Sequence, residues 1–145
     1  MLLKAIQIKD YKCVTNSNLI SIEPNVTCLV GKNESGKTAL LECLYRLNPV
    51  PSGHRSTFEE LYDYPRSRRS TDANKIPKTR PITATFELEK DDIIAVENDF
   101  GKGIITNNEI NVSKDYGNSR HWSIQIDEKA FINKLGFVDF LSDGD

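Results

Sequence analysis

Residues 2–9, Leu-Leu-Lys-Ala-Ile-Gln-Ile-Lys, mostly alternate between apolar and polar side chains, which predicts a β-strand. Residues 18–23 repeat the pattern, with Ile20 and Ile22 inward and Ser21 and Glu23 outward, before Pro24-Asn25 makes a turn. At residues 26–30, Val-Thr-Cys-Leu-Val, the alternation stops and nearly every position is apolar, as in a strand buried on both faces. The period then lengthens. Leu40, Leu44 and Leu47 fall on one stripe with Leu41 beside it, predicting a helix over 37–47 that Asn48-Pro49 ends.

Residues 50–81 hold Pro51, Gly53, Pro65, Pro77 and Pro81 and no sustained period, which predicts a long loop or a partly mobile segment. Alternation returns at Thr83, with Ala84, Phe86 and Leu88 set against Thr85, Glu87 and Glu89. Asp91 or Asp92 then caps a short helix carrying Ile93, Val96 and Phe100, and Gly101 stops it. Residues 103–106 and 109–113 suggest a hairpin about Asn107-Asn108. Trp122, Ile124 and Ile126 alternate with Ser123, Gln125 and Asp127, and Asp127 caps a last helix that runs to Leu135 and closes at Gly136. Residues 137–145 give no clear pattern, and there is no internal repeat.

The chain's 145 residues suffice for one domain with its own core. The net charge of −2 argues against wholesale attraction to nucleic acid. It hides an uneven distribution. Residues 65–80 carry Arg66, Arg68, Arg69, Lys75, Lys78 and Arg80 against the single acid Asp72. Such a run is either a DNA-contacting loop, with Arg66, Arg68 and Arg69 as phosphate contacts, or a solvated insertion serving solubility. The aromatic residues Phe58, Tyr62 and Tyr64 just upstream favour contact with a partner. Cys13, Cys28 and Cys43 form no CxxC pair and read as small buried hydrophobes in a reducing compartment. Nothing resembles a signal peptide, and no apolar run reaches the length of a membrane span. A cytoplasmic chain with no membrane partner is expected.

Candidate chemistry lies between the apolar run and the helix. Gly31, Lys32, Asn33, Glu34, Ser35, Gly36, Lys37 and Thr38 spell G-x-x-x-x-G-K-[ST], the P-loop pattern for ATP. Glycines at both ends let the backbone turn sharply and approach an anion without a Cβ in the way. Successive N–H groups form a nest for the β-phosphate, and the helix that starts there, including Ala39, aims its positive end at the same anion. Lys37 reaches the β- and γ-phosphates and is the candidate catalytic charge. The Thr38 hydroxyl is the candidate Mg²⁺ ligand, completed by water and phosphate oxygens. A strand before and a helix after are the required setting.

These residues carry a family resemblance. "IQIKDYKCV" resembles the opening strand and turn of ABC-type ATPases of the SMC and RecF kind. "VTCLVGKNESGKTALLECLYRLNP", and the later "RPITATFELEKDDIIAVENDFG", are similar to the ATPase heads of the OLD (overcoming lysogenization defect) nucleases. The resemblance implies that the basic turn places Tyr11 and Lys12 near the nucleotide. It also implies two lobes separated in sequence, heads that dimerise around ATP, and action on nucleic acid in phage defence or DNA repair. The chain departs from that pattern in three respects. It has no Walker B stretch of four apolar residues followed by Asp-Glu, no LSGGQ-like signature and no switch histidine; His54, His121 and the solvent-facing Gln125 read as ordinary surface residues. Asp143-Gly144-Asp145 spells D-x-D without a Toprim context.

The expected fold is therefore α/β: a P-loop NTPase, an ABC-type ATPase lobe with a mixed sheet and an antiparallel β subdomain. Residues 1–145 would be the first lobe of a larger ATPase, with 50–81 as its long basic loop and a second lobe or head as partner, a homodimer in the full protein. A small self-contained P-loop kinase and a non-catalytic nucleotide-sensing module are the competing readings.

Overall fold

The computed structural model describes residues 1–32, 36–50 and 55–135, the side chains of 133–135 excepted. The N-terminal alternation becomes β1 (Leu2–Tyr11), which reverses through Lys12 and Cys13 into β2 (Val14–Ser21). The reversal is tight: Asp10 and Lys12 both have φ near +50°, at 52° and 51°. Ile20 and Ile22 are half-buried and pack on the core, as their spacing predicts.

Helix α1 (Lys37–Leu47) has the bounds expected of it, but its buried side differs. Ala39, Cys43, Arg46 and Leu47 face the interior, Leu40 and Leu44 lie at its margin, and Leu41 is exposed. Small side chains at 39 and 43 suit a closely packed helix face, and the Cys43 thiol lies 3.6 Å from the Pro81 carbonyl. Of the three cysteines, only Cys43 is buried; Cys13 and Cys28 are exposed, contrary to expectation.

The segment expected to be a long loop is built from short helical pieces: α2 (Glu60–Asp63), α3 (Arg69–Asp72) and a 3-10 turn over Ile76–Lys78. It shows no period because its buried apolar anchors are isolated and mostly lie between these pieces. Phe58, Tyr64 and Ile76 are buried, and Tyr11, Phe58, Tyr116 and Tyr64 pack edge-to-face in sequence with centroids 5.8, 5.7 and 5.6 Å apart. Beneath them sits an ionic cluster. Fully buried Asp63 accepts from Arg46 at 2.9 Å, Arg55 at 2.5 Å and the Glu59 N–H at 2.9 Å. Lys114, also buried, donates to the Arg46 carbonyl at 2.8 Å and so satisfies an orphan carbonyl in the last turn of α1.

Strand β3 (Ile82–Glu87) leads into α4 (Lys90–Phe100). Glu89, rather than Asp91 or Asp92, is the N-cap; Asp92 completes a capping box, and Gly101 ends the helix at φ 113°. No hairpin forms about Asn107-Asn108. A single strand, β4 (Ile105–Lys114), runs through both residues and pairs with β5 (Arg120–Ile126). Between the pairs Ile105↔Ile126 and Ile110↔Ile124 the ladder is irregular, and that bulge absorbs the two asparagines. The reversal falls at Asp115 to Ser119, where Asn118 takes φ 65°. Asp127 caps α5 (Glu128–Leu135) as expected, its carboxylate accepting from the N–H groups of Lys129 and Ala130 at 2.9 and 3.1 Å. Gly136 and residues 137–145 lie outside the described residues.

The five strands form one sheet in the order β2-β1-β3-β4-β5, with every neighbouring pair antiparallel. The α/β class and the antiparallel β subdomain are as expected. Residues 26–30 are the exception: they join no ladder among the described residues, and Val26 and Val30 are 72% and 90% exposed. A strand covered on both faces requires sheet neighbours and packed layers on each side, and no described element provides them at this position.

Candidate nucleotide site

The site is organised by the start of α1. Gly36 precedes the helix at φ 93°, in the left-handed region that glycine alone enters cheaply. A Cβ there would lie 3.1 Å from Val14 Cγ2 and 3.5 Å from Cys13 Sγ, so the position also lacks room. The β1–β2 turn thus packs directly against the helix entrance. No side chain caps α1 and no acidic residue occupies its first turn. The positive end of the helix is left without a counter-charge from its own first turn.

Lys37 Nζ donates to the carbonyls of Gly31 at 2.7 Å and Lys32 at 2.6 Å. Its ammonium therefore bridges back across the loop instead of extending into solvent. Thr38 is exposed at the helix entrance, while the Ala39 side chain is buried against the interior, leaving Ala39 only its backbone to offer a ligand. Gly31 and Lys32 are exposed. Asn33, Glu34 and Ser35 lie outside the described residues.

Lys12 and Tyr11 divide. The Lys12 ammonium pairs with Glu42, on the second turn of α1. Burial pushes the Glu42 carboxyl up, but the hydrogen bond and charge of Lys12 outweigh this and hold it below the usual carboxylate value. Tyr11 belongs to the core instead: its ring is fully buried and its hydroxyl meets Glu42 at 3.3 Å and the Arg46 guanidinium. The resemblance marked Lys12 but not Glu42. The sequence signal for the latter was the i, i+4 spacing of Glu42 and Arg46, which places both on one side of α1.

The three arginines proposed for nucleic acid do not form one open patch. Arg68 pairs with Asp10 and lies 5.8 Å from the Tyr64 ring centre. Arg69 donates to the Leu61 carbonyl at 2.6 Å. Of the three, only Arg66 is exposed. Of the upstream aromatics, Phe58 and Tyr64 are core residues and only Tyr62 faces solvent. His121 is less ordinary than expected, sitting 2.7 Å from the Asp115 carboxylate, whereas Gln125 is exposed as expected. His54 lies outside the described residues. Among the described residues no three His, Cys, Asp or Glu side chains are grouped to hold a metal ion, and no helix is long and apolar enough to cross a membrane.

Comparison with known proteins places this arrangement in a class. Residues 1–135 match the family model described as AAA ATPase domain, and the chain belongs to that family. The chain is also similar to the DNA replication and repair protein RecF of Salmonella arizonae and of Salmonella typhi, 39% identical over 61 residues in each case. RecF of Enterobacter sp. is similar to the same extent. The matched stretch is 42% of this chain and 15% of RecF, so the chain spans a small part of those relatives. A solved chain from work on ATP-driven dimerization and DNA stimulated activation of SMC ATPases aligns with a TM-score of 0.49 and 14% identity, over 94% of this chain and 80% of the other. The family shown is thus the AAA ATPase domain, and the likeness to RecF is a similarity over 61 residues.

Proposed function

We propose that this chain binds ATP with Mg²⁺ and is one half of an ATPase that acts on nucleic acid. The observation that carries the reading is the uncapped start of α1, with Gly36 held in a conformation no other residue adopts cheaply and Lys37 bridging the loop carbonyls. These parts fit a polyphosphate. Backbone N–H groups from Gly31 to Ala39 would line the phosphates, Lys37 would trade the two carbonyls for phosphate oxygens, and Thr38 would hold Mg²⁺. The ion's share of the chemistry is neutralising charge on the phosphates. Lys12 lies beside the helix entrance, ready to exchange Glu42 for the nucleotide.

The chain has no run of four apolar residues followed by Asp-Glu; the pair Asp127-Glu128 follows Ser-Ile-Gln-Ile, and Asp127 caps α5 instead of serving as a Walker B acid. In this reading a second lobe supplies it, and residues 26–30 support that: they are apolar enough for a central strand yet have no neighbour among the described residues. RecF, named for DNA replication and repair, favours DNA as what the whole protein acts on. The finer assignment is an OLD-type nuclease of phage defence or DNA repair, a cytoplasmic homodimer through its heads. It rests on the resemblance of residues 26–49 and 80–101. Calorimetric titration with ATP and Mg²⁺ tests the reading: binding is expected, and Lys37→Ala should weaken it by about a hundredfold. Equal affinity in the variant would refute the P-loop assignment.

A further inference from the structure

A groove of about 500 Å³ opens beside the entrance to α1, between the β1–β2 turn and the segment that contains α2 and α3. Lys12, Cys13 and Thr15 form one side; Tyr62, Arg66 and Ser67 form much of the other. Its volume lies within the roughly 300–1,000 Å³ of small-molecule sites. Cys13 is shared between the two places, since its sulfur lies 3.5 Å from where a Cβ on Gly36 would stand. The groove thus adjoins, through Cys13, the turn that packs on Gly36 at the entrance to α1.

Its chemistry is selective. The lining contains two cations and no carboxylate, in a chain whose acids outnumber its bases by 21 to 19. Among the described residues Arg66 is engaged in no ion pair. Tyr62 is 64% exposed, unlike its neighbours Phe58 and Tyr64, which the core absorbs. Arg55 lies over the Tyr62 ring, 5.5 Å from its centre, and that guanidinium is itself fixed to buried Asp63 at 2.5 Å. An exposed ring backed by a fixed guanidinium is a platform: one face is taken, and the other is available for stacking on a planar group. A large exposed aromatic kept in place this way costs apolar burial, and contact with a ligand is what it would gain.

We infer that this groove seats the nucleoside part of the triphosphate, with Tyr62 stacking on the base and Arg66 and Lys12 facing the ribose and α-phosphate side. The inference rests on the P-loop reading above and adds to it a base-recognition residue from the 55–67 segment. It also gives that segment a purpose: Asp63 ties Arg46 of α1 and Arg55 behind Tyr62 to one buried charge, so the platform and the phosphate helix are held in fixed relation.

Two ligands separate the claims. Affinities for ATP and for inorganic tripolyphosphate, each with Mg²⁺, are measured on the native chain, Lys37→Ala, Tyr62→Ala and Tyr62→Phe. Lys37→Ala should weaken both ligands. Tyr62→Ala should weaken ATP by about tenfold, leave tripolyphosphate unchanged, and be rescued by Tyr62→Phe. Because the ring is exposed, Tyr62→Ala is expected to unfold at the native temperature, and that is checked alongside. If Tyr62→Ala leaves ATP affinity unchanged, or weakens both ligands equally, the base subsite is overturned while the P-loop reading stands. If the native chain binds neither ligand, both fall.

Discussion

Residues 2–9 and residues 26–30 are each apolar enough to form strands, yet they end in opposite states. The first stretch becomes β1, whose Ile6 and Ile8 are buried and whose two edges pair with β2 and β3. The second pairs with nothing among the described residues and exposes Val26 and Val30. The contrast lies in what each pattern demands. An alternating strand needs one covered face, and α1 with the 55–78 segment covers it. A uniformly apolar strand needs two covered faces and partners on both edges. The antiparallel sheet is self-sufficient; the strand leading to the P-loop requires something further. That difference is the physical content of calling this chain half a site.

Substitutions that place the same charge in the two stretches should separate them. The largest effect belongs to Ile8→Asp, which puts a carboxylate without a partner at a fully buried position and should leave no cooperative unfolding transition in circular dichroism. Next comes Asp63→Ala. It strands Arg46, 5% exposed, without its counter-charge and should cost about 3–5 kcal/mol in urea denaturation. A native-like midpoint would mean that the ionic cluster is not what fastens the 55–64 segment to α1. The smallest effect is Val30→Asp, expected to shift stability by no more than about 0.5 kcal/mol because the side chain is already in water. A large loss there would show that residues 26–30 are packed by this chain after all, and would erase the comparison.

How much of this was legible beforehand follows the same division. β1, α1 and α5 could be read with nearly correct bounds because their partners are encoded within a few residues: a pattern, a cap, a stop. The 55–78 segment could not, because its order comes from isolated anchors at Phe58, Tyr64 and Ile76 reaching a shared core, which leaves no period in the sequence. Asn107-Asn108 looked like a turn because asparagine tolerates turn conformations; the ladder instead absorbed both residues in a bulge, and Asn118 took the positive φ. The glycine-lysine-threonine pattern was legible as a phosphate loop. What it omitted were the groups that depend on tertiary approach: Glu42 holding Lys12, and Arg55 behind Tyr62.

The half-site account is tested most directly by following ATP binding and phosphate release by this chain in the same tube, with Mg²⁺. It predicts saturable binding, lost in Lys37→Ala, and no release of phosphate above the uncatalysed background. Steady turnover that Lys37→Ala abolishes would contradict it, because a chain without a Walker B pair would then be completing the reaction alone.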